Sequence, residues 1–231
     1  MTLPPLLSRL FPGEPVITPP IISLLFANLT TIVFAIAGHW NAATVMFIYW
    51  AQSGIIGIFT VASLLSADIA ALRSDMVKSQ IENGGSGDVS PRFVRFYTFL
   101  LAGFFALHYG LFHWAYFSFI VDTGLFGAVD FSNPEILIAC LFFFINHLFS
   151  YFYHRKDEWR GAGFVTEEFF RPYRRIIPMH LTIIFGSIIV FALTMTGIEA
   201  TMPVMVLFLL LKTYADLGAH MNKHSGNGQI L

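Results

Sequence analysis

Six times within 231 residues the chain runs for roughly twenty residues on almost nothing but apolar side chains. The runs cover 19–38, 42–66, 96–121, 134–153, 176–197 and 202–219. About 18 to 20 such residues are what a helix needs to cross the hydrocarbon of a bilayer. Lipid offers no partner for a backbone amide, so each run must satisfy its own hydrogen bonds as a helix. The expectation is an all-α, polytopic transmembrane bundle of six spans. Only 12% of the residues are charged, against about 25% in an average soluble domain, which removes a water-soluble core from consideration.

Charge supports the same count. All thirteen Lys and Arg fall on one side of the proposed spans, from Arg9 through the basic segments 67–95 and 154–175 to Lys212 and Lys223. The opposite loops, 39–41, 122–133 and 198–201, contribute Asp122, Asp130 and Glu199 but no cation. The positive-inside rule then puts both termini in the cytoplasm, with the protein in the inner (cytoplasmic) membrane. An odd number of spans would scramble this segregation. Residues 1–18 become an N-terminal cytoplasmic or interfacial segment, 19–219 a single membrane domain and 220–231 a cytoplasmic tail. The opening "MTLPPLLSRLFPGEPVITPP" lacks the pattern of a cleaved signal peptide, so the first span is expected to be retained. Membrane lipids are the partners this layout implies, and it is compatible with a homo-oligomer. Nothing in it suggests nucleic-acid binding.

The two basic segments differ in character. In "SADIAALRSDMVKSQIEN" the apolar residues Ile69, Leu72, Met76 and Val77 recur at helical spacing, predicting a helix that continues out of the second span. "GAGFVTEEFFRPYRR" mixes Phe164, Phe169, Phe170 and Tyr173 with charges and reads as a membrane-surface connector, with a binding lid as the alternative. Pro178 is expected to help begin the fifth helix. Cys140, the only cysteine, excludes an internal disulfide and a thiolate cluster.

Ionisable groups inside a membrane are expensive and mark candidate sites. Gln52, His108 and His147 fall near the middle of their spans, while His39 and His113 sit beside Trp40 and Trp114 as candidate interfacial residues. Lys212, Asp216, His220 and His224 are spaced four apart. At 3.6 residues per turn they drift only about 40° per step and form one stripe. His180 and His154 are expected at a similar depth, near the basic side, with Ser150 one turn before His154. Zinc or another divalent metal is bound by such nitrogen and oxygen ligands, which makes His180, Asp216, His220 and His154 a candidate metal set. A metal-bound hydroxide would cleave an ester or amide, with Lys212 or Ser150 stabilising the developing charge. The alternative is structural: Lys212 and Asp216 as an i,i+4 ion pair, and the later cations at a helix C-terminus. His108 and His147 allow a hydrogen-bonded pair, a haem site, a proton relay, or packing with bonds to Gln52, Tyr109 or Asn146.

Four stretches together, "YWAQSGIIGIFTVASLL", "FFALHYGLFHW", "RPYRRIIPMHLTIIFG" and "LLKTYADLGAHMNKH", resemble a family of prokaryotic multi-pass membrane proteins known as domain of unknown function 6498. The resemblance runs from the second span to the C-terminus and rests on Tyr49–Trp50 with Gln52, His108–Tyr109–Gly110, Met179–His180, Lys212, Asp216, His220 and His224. Gln52 stands where the family pattern suggests Glu, and Lys223 where it suggests an acidic residue. The family implies topology and site positions but no activity. Ser150-x-x-x-His154 and His220-x-x-x-His224 are more loosely similar to motifs of seven-span ceramidase-like membrane hydrolases. Three functions remain open on these residues: a metal-dependent membrane hydrolase, a proton- or ion-coupled transporter of a small solute, and a non-catalytic scaffold.

Overall fold

The structure, a computed structural model, describes residues 22, 26, 29–31, 33–35, 37–154, 161–198, 203–209 and 211–212, with the backbone alone at His154, Arg175 and Thr194. Every regular element among the described residues is helical. Five helices can be bounded: α1 (Ala42–Leu65), α2 (Ile69–Glu82), α3 (Pro91–Asp122), α4 (Pro134–His154) and α5 (Gly161–Thr194). Four of them, all but α2, are long and apolar enough to cross a membrane. The described residues of 22–37 and 203–212 are also helical, apart from these five.

Helix α1 is the hub and packs directly on α3, α4 and α5. Its start is fixed by Asn41, whose side chain accepts from Thr44 N at 2.9 Å and donates to Ala128 O at 2.7 Å. That single residue caps the helix and ties the 123–133 loop across its end, satisfying amides the helix cannot satisfy itself. Trp40 Nε1 donates to Glu135 Oε2 at 3.0 Å, joining the same end to the first turn of α4.

Ring pairs give the directions. Phe47 meets Phe117, Trp50 meets His113 and Ser53 meets Tyr109, so α1 and α3 are antiparallel. Phe105 meets Phe169 and Tyr116 meets His180, so α3 and α5 are parallel. Tyr49 meets Phe143 and Phe59 meets Tyr151, so α1 and α4 are parallel. The helix predicted beyond the second span is present as α2, after a break that Asp68 recaps by accepting from Ala70 N and Ala71 N. Leu72 is its buried apolar anchor. Arg73 Nε donates to Val89 O at 2.5 Å, and α2 lies against both α3 and α5 at the basic end of the bundle.

One expectation needs correcting. The segment within 154–175 read as a surface connector is, from Gly161 onward, the first four turns of α5, which runs on unbroken for 34 residues. Pro172 and Pro178 both lie inside it rather than at its start. An interior proline removes one ladder bond and typically costs about 3 kcal/mol in water. In a packed bundle neighbouring helices offset the loss, and the Thr182 hydroxyl adds a bond of its own to Pro178 O at 2.8 Å. Rings bury the face as well: Phe169 packs on Phe105 and Tyr173 on Tyr109, holding this stretch against α3.

Candidate functional site

A close approach between α1 and α3 is built on small residues of α1. A Cβ at Gly57 would fall 2.8 Å from Tyr109 Cε1, so only glycine admits the Tyr109 ring there. With the ring seated, the Tyr109 hydroxyl donates to Ser53 O at 3.1 Å, and the Ser53 hydroxyl donates back to Tyr109 at 2.7 Å. Both directions follow because the phenol has one proton and the carbonyl can only accept. One turn on, Trp50 Nε1 donates to His113 O at 2.8 Å, while His113 Nδ1 lies 3.3 Å from Tyr109 O. A carbonyl accepts, so Nδ1 carries the imidazole proton and Nε2 is a bare acceptor.

That acceptor is buried and has no hydrogen-bond partner among the described residues. The same holds for Gln52 Nε2 on α1, a donor, and for Asn146 Oδ1 on α4, an acceptor. Gln52 is 2%, Asn146 3% and His113 8% exposed. Leaving such a group unpaired costs about 1–3 kcal/mol each. Three helices therefore aim unmatched polar atoms into an apolar bundle, with both donor and acceptor character represented.

His113, expected at the interface beside Trp114, is buried between helices and stacked on Tyr109 with centroids 4.5 Å apart. His108 does the reverse. It sits on an exposed edge of α3 and shares a 2.9 Å hydrogen bond between Nδ1 and the Tyr173 hydroxyl of α5, so its observed partner is neither His147 nor Gln52. His180 is also exposed, and its Nδ1 is 3.1 Å from the Tyr116 hydroxyl. Tyr116 lies six residues before the end of α3, and His180 nineteen residues after the start of α5. His180 therefore lies far from the basic end, because the helix that carries it begins at Gly161, fifteen residues before the apolar run that starts at 176.

Lys212 is buried at 8% exposure, its Nζ 3.7 Å from the centroid of the Tyr49 ring and 5.4 Å from that of Phe143. Tyr49 lies seven residues into α1, so this ammonium too is seated toward the non-basic end, in an aromatic cradle. His147 and Ser150 are half-buried on α4, each with a partner. Asp216, His220 and His224 lie outside the described residues, as does the side chain of His154. Among the described residues no three His, Cys, Asp or Glu side chains come together as a metal-binding group. Of the proposed metal set the structure thus places one side chain, His180, beside Tyr116.

Sequence reasoning passed over Ser53 and Tyr116, took Tyr173 only as an interfacial aromatic, and kept Tyr109 as a packing partner and a residue of the family resemblance. A usable signal was present in the i,i+4 pair Tyr109/His113 facing the small residues Ser53, Gly54 and Gly57.

A family model described as a family of unknown function, DUF6498, matches residues 12–229, in agreement with the resemblance drawn from the four stretches. No curated protein and no solved structure matches the chain.

Proposed function

The chain belongs to the family of unknown function DUF6498, and we propose that it is a six-span membrane protein that passes a small polar solute, coupled to protons, through its interior. Four helices of spanning length support the membrane reading, and the one-sided distribution of Lys and Arg, the buried Lys212 apart, supports an even number of spans with both termini on the basic side. The observation that carries the transport reading is the set of buried, unmatched atoms Gln52 Nε2, His113 Nε2 and Asn146 Oδ1. A passing solute or water file supplies the partners these atoms lack, and it does so only transiently, as transport requires. Tyr109, His113 and Ser53 form the adjacent hydrogen-bonded wall.

The test is reconstitution into liposomes loaded with a pH-sensitive dye, under an imposed potential. Proton flux above that of empty liposomes, lost in His113→Leu and Gln52→Leu, is expected. Flux no greater than in protein-free vesicles rejects the reading.

A second reading, metal-dependent hydrolysis of an amphipath, is favoured by one specific contact. With Nδ1 engaged by Tyr116, the His180 ring is oriented and its Nε2 is the nitrogen left to ligate, the arrangement that second-shell partners give to metal-binding histidines. Asp216, four residues after Lys212 in the sequence, would be a further ligand, with Lys212 beside the reacting oxygen; His154 and Ser150 belong to the basic end of α4, the opposite end of the bundle from His180, and drop out of the set. Elemental analysis of purified protein decides it: zinc in fixed ratio, reduced in His180→Ala, is the result this reading needs.

A further inference from the structure

Among the described residues one carboxylate is fully buried: Glu168, at 3% exposure. It lies about one helical turn from Val165 and from Pro172, on the stripe of α5 that also buries Ile176 and Met179, and the helix packs on α1 and α2. Its Oε1 accepts from Arg171 Nη2 at 2.7 Å, and the Arg171 side chain is 35% exposed. The pair thus leads from the interior to the surface. A buried ion pair is often no more stabilising than apolar side chains of the same volume, which points to another use for this one.

Contacts across the helices set its level. Phe169, the next residue, meets Phe104 and Phe105 of α3, about one turn before Tyr109. The Tyr109 ring sits over Gly57 of α1, so Thr60, a turn nearer the basic end of that helix, falls at about the level of Glu168. The Thr60 hydroxyl is fully buried and has no hydrogen-bond partner among the described residues. Beyond it come the paired hydroxyls of Tyr109 and Ser53, and then His113 with its bare Nε2. Buried polar groups therefore follow one another from Glu168 to His113, over about 13 Å of helix rise.

Few other charges bear on Glu168. Helix α1 carries none. On α2, Arg73 is tied to Val89 O and Asp75 to Ala162 N, while Lys78 and Glu82 are exposed. On α3, His108 is bonded to Tyr173, and Arg92 and Arg95 are exposed in the first two turns.

We propose that Glu168 is the proton-loading carboxylate of the interior path and takes its protons from the basic side. This inference rests on the transport reading and names the acid at its entrance. A proton from water at the Arg171 end adds to the Glu168 carboxylate and neutralises it; Arg171 keeps its own proton and charge, and the ion pair opens. From the carboxylic acid the proton passes, by way of water bonded to the Thr60 hydroxyl and then the Tyr109 and Ser53 hydroxyls, to His113 Nε2. The ring becomes imidazolium, Nδ1 keeping its proton toward Tyr109 O. Glu168, again a carboxylate, re-forms its pair with Arg171.

The test is proton flux into dye-loaded liposomes as a function of pH, for wild type, Glu168→Gln, Glu168→Asp and Arg171→Gln. Glu168→Gln keeps size and hydrogen bonding but cannot take the proton, and its flux should fall to that of protein-free vesicles. Glu168→Asp should retain flux, which a loss through misfolding would not predict. Arg171→Gln should carry the pH dependence of flux to higher pH, since removing an adjacent cation favours the neutral carboxyl. Wild-type flux that is unchanged in Glu168→Gln, lost equally in Glu168→Asp, or unchanged in its pH dependence in Arg171→Gln overturns the assignment and leaves transport standing. No flux in wild type removes both. Should Glu168→Gln fail to fold, the pH dependence in Arg171→Gln decides by itself.

Discussion

The Tyr109 hydroxyl donates to the carbonyl of Ser53 at 3.1 Å and receives the Ser53 hydroxyl at 2.7 Å, so one phenol locks α3 to α1 by two hydrogen bonds. The lock depends on the absence of a side chain at Gly57, directly beneath the ring. Tyr109→Phe removes both bonds and leaves the Ser53 hydroxyl to find another acceptor, at an expected cost of about 1–2 kcal/mol. Gly57→Ala should cost more, about 1–3 kcal/mol, because the whole ring must move to admit a methyl group. Thermal unfolding in detergent, monitored by circular dichroism, ranks the two.

Gln52 and Asn146 invite the opposite prediction. An unmatched buried amide destabilises the bundle, so Gln52→Leu and Asn146→Leu should each raise stability by about 1 kcal/mol while abolishing flux. Opposed signs on the two readouts are the signature of a group kept for function. A loss of stability in both variants would identify these amides as structural.

The Lys212 ammonium over the Tyr49 ring calls for a double-mutant cycle. Lys212→Met, Tyr49→Leu and the pair should show a coupling of about 1–2 kcal/mol, the range for a desolvated cation–π contact. Lys212 has a further partner as well, so Lys212→Met alone should cost more than the coupling.

Which parts of this were readable from residues follows from the helices themselves. Length and apolarity suffice for a spanning helix, and α1, α3 and α4 begin or end within a few residues of the apolar runs that predict them. What an apolar run conceals is its inward face. When nearly every position is hydrophobic, no periodicity separates packing from lipid, and so the burial of His113 within the bundle and the exposure of His108 on the edge of α3 were not legible. Prolines misled in the same way. Pro178 read as a helix start because a water-exposed helix tolerates proline best in its first turn, yet within a packed bundle α5 carries it mid-helix, and this shifts His180 more than two turns from its expected depth. The Lys212 stripe was legible as a face of one helix, but its burial against Tyr49 and Phe143 depends on three helices meeting, which spacing along one of them does not encode.

The register of α5 suggests the last prediction. One of its first amide donors is met from another helix: Asp75 Oδ2 on α2 accepts from Ala162 N at 2.8 Å. Gly161, at φ +78°, turns the chain into that position, and a Cβ there would collide with the same carboxylate oxygen. A carboxylate at a helix N-terminus stabilises through both the hydrogen bond and the dipole. Asp75→Ala should therefore cost about 1 kcal/mol, Asp75→Asn less because an acceptor oxygen remains, and Gly161→Ala more than about 1 kcal/mol because strain and collision add. Since α5 carries Tyr173 and His180, fraying its start should loosen both His–Tyr pairs. Amide hydrogen exchange should show faster exchange in the first turns of α5 in Asp75→Ala, with α1 unaffected. Equal protection in variant and wild type would mean that packing on α2 and α3, and not this cap, fixes where the helix begins.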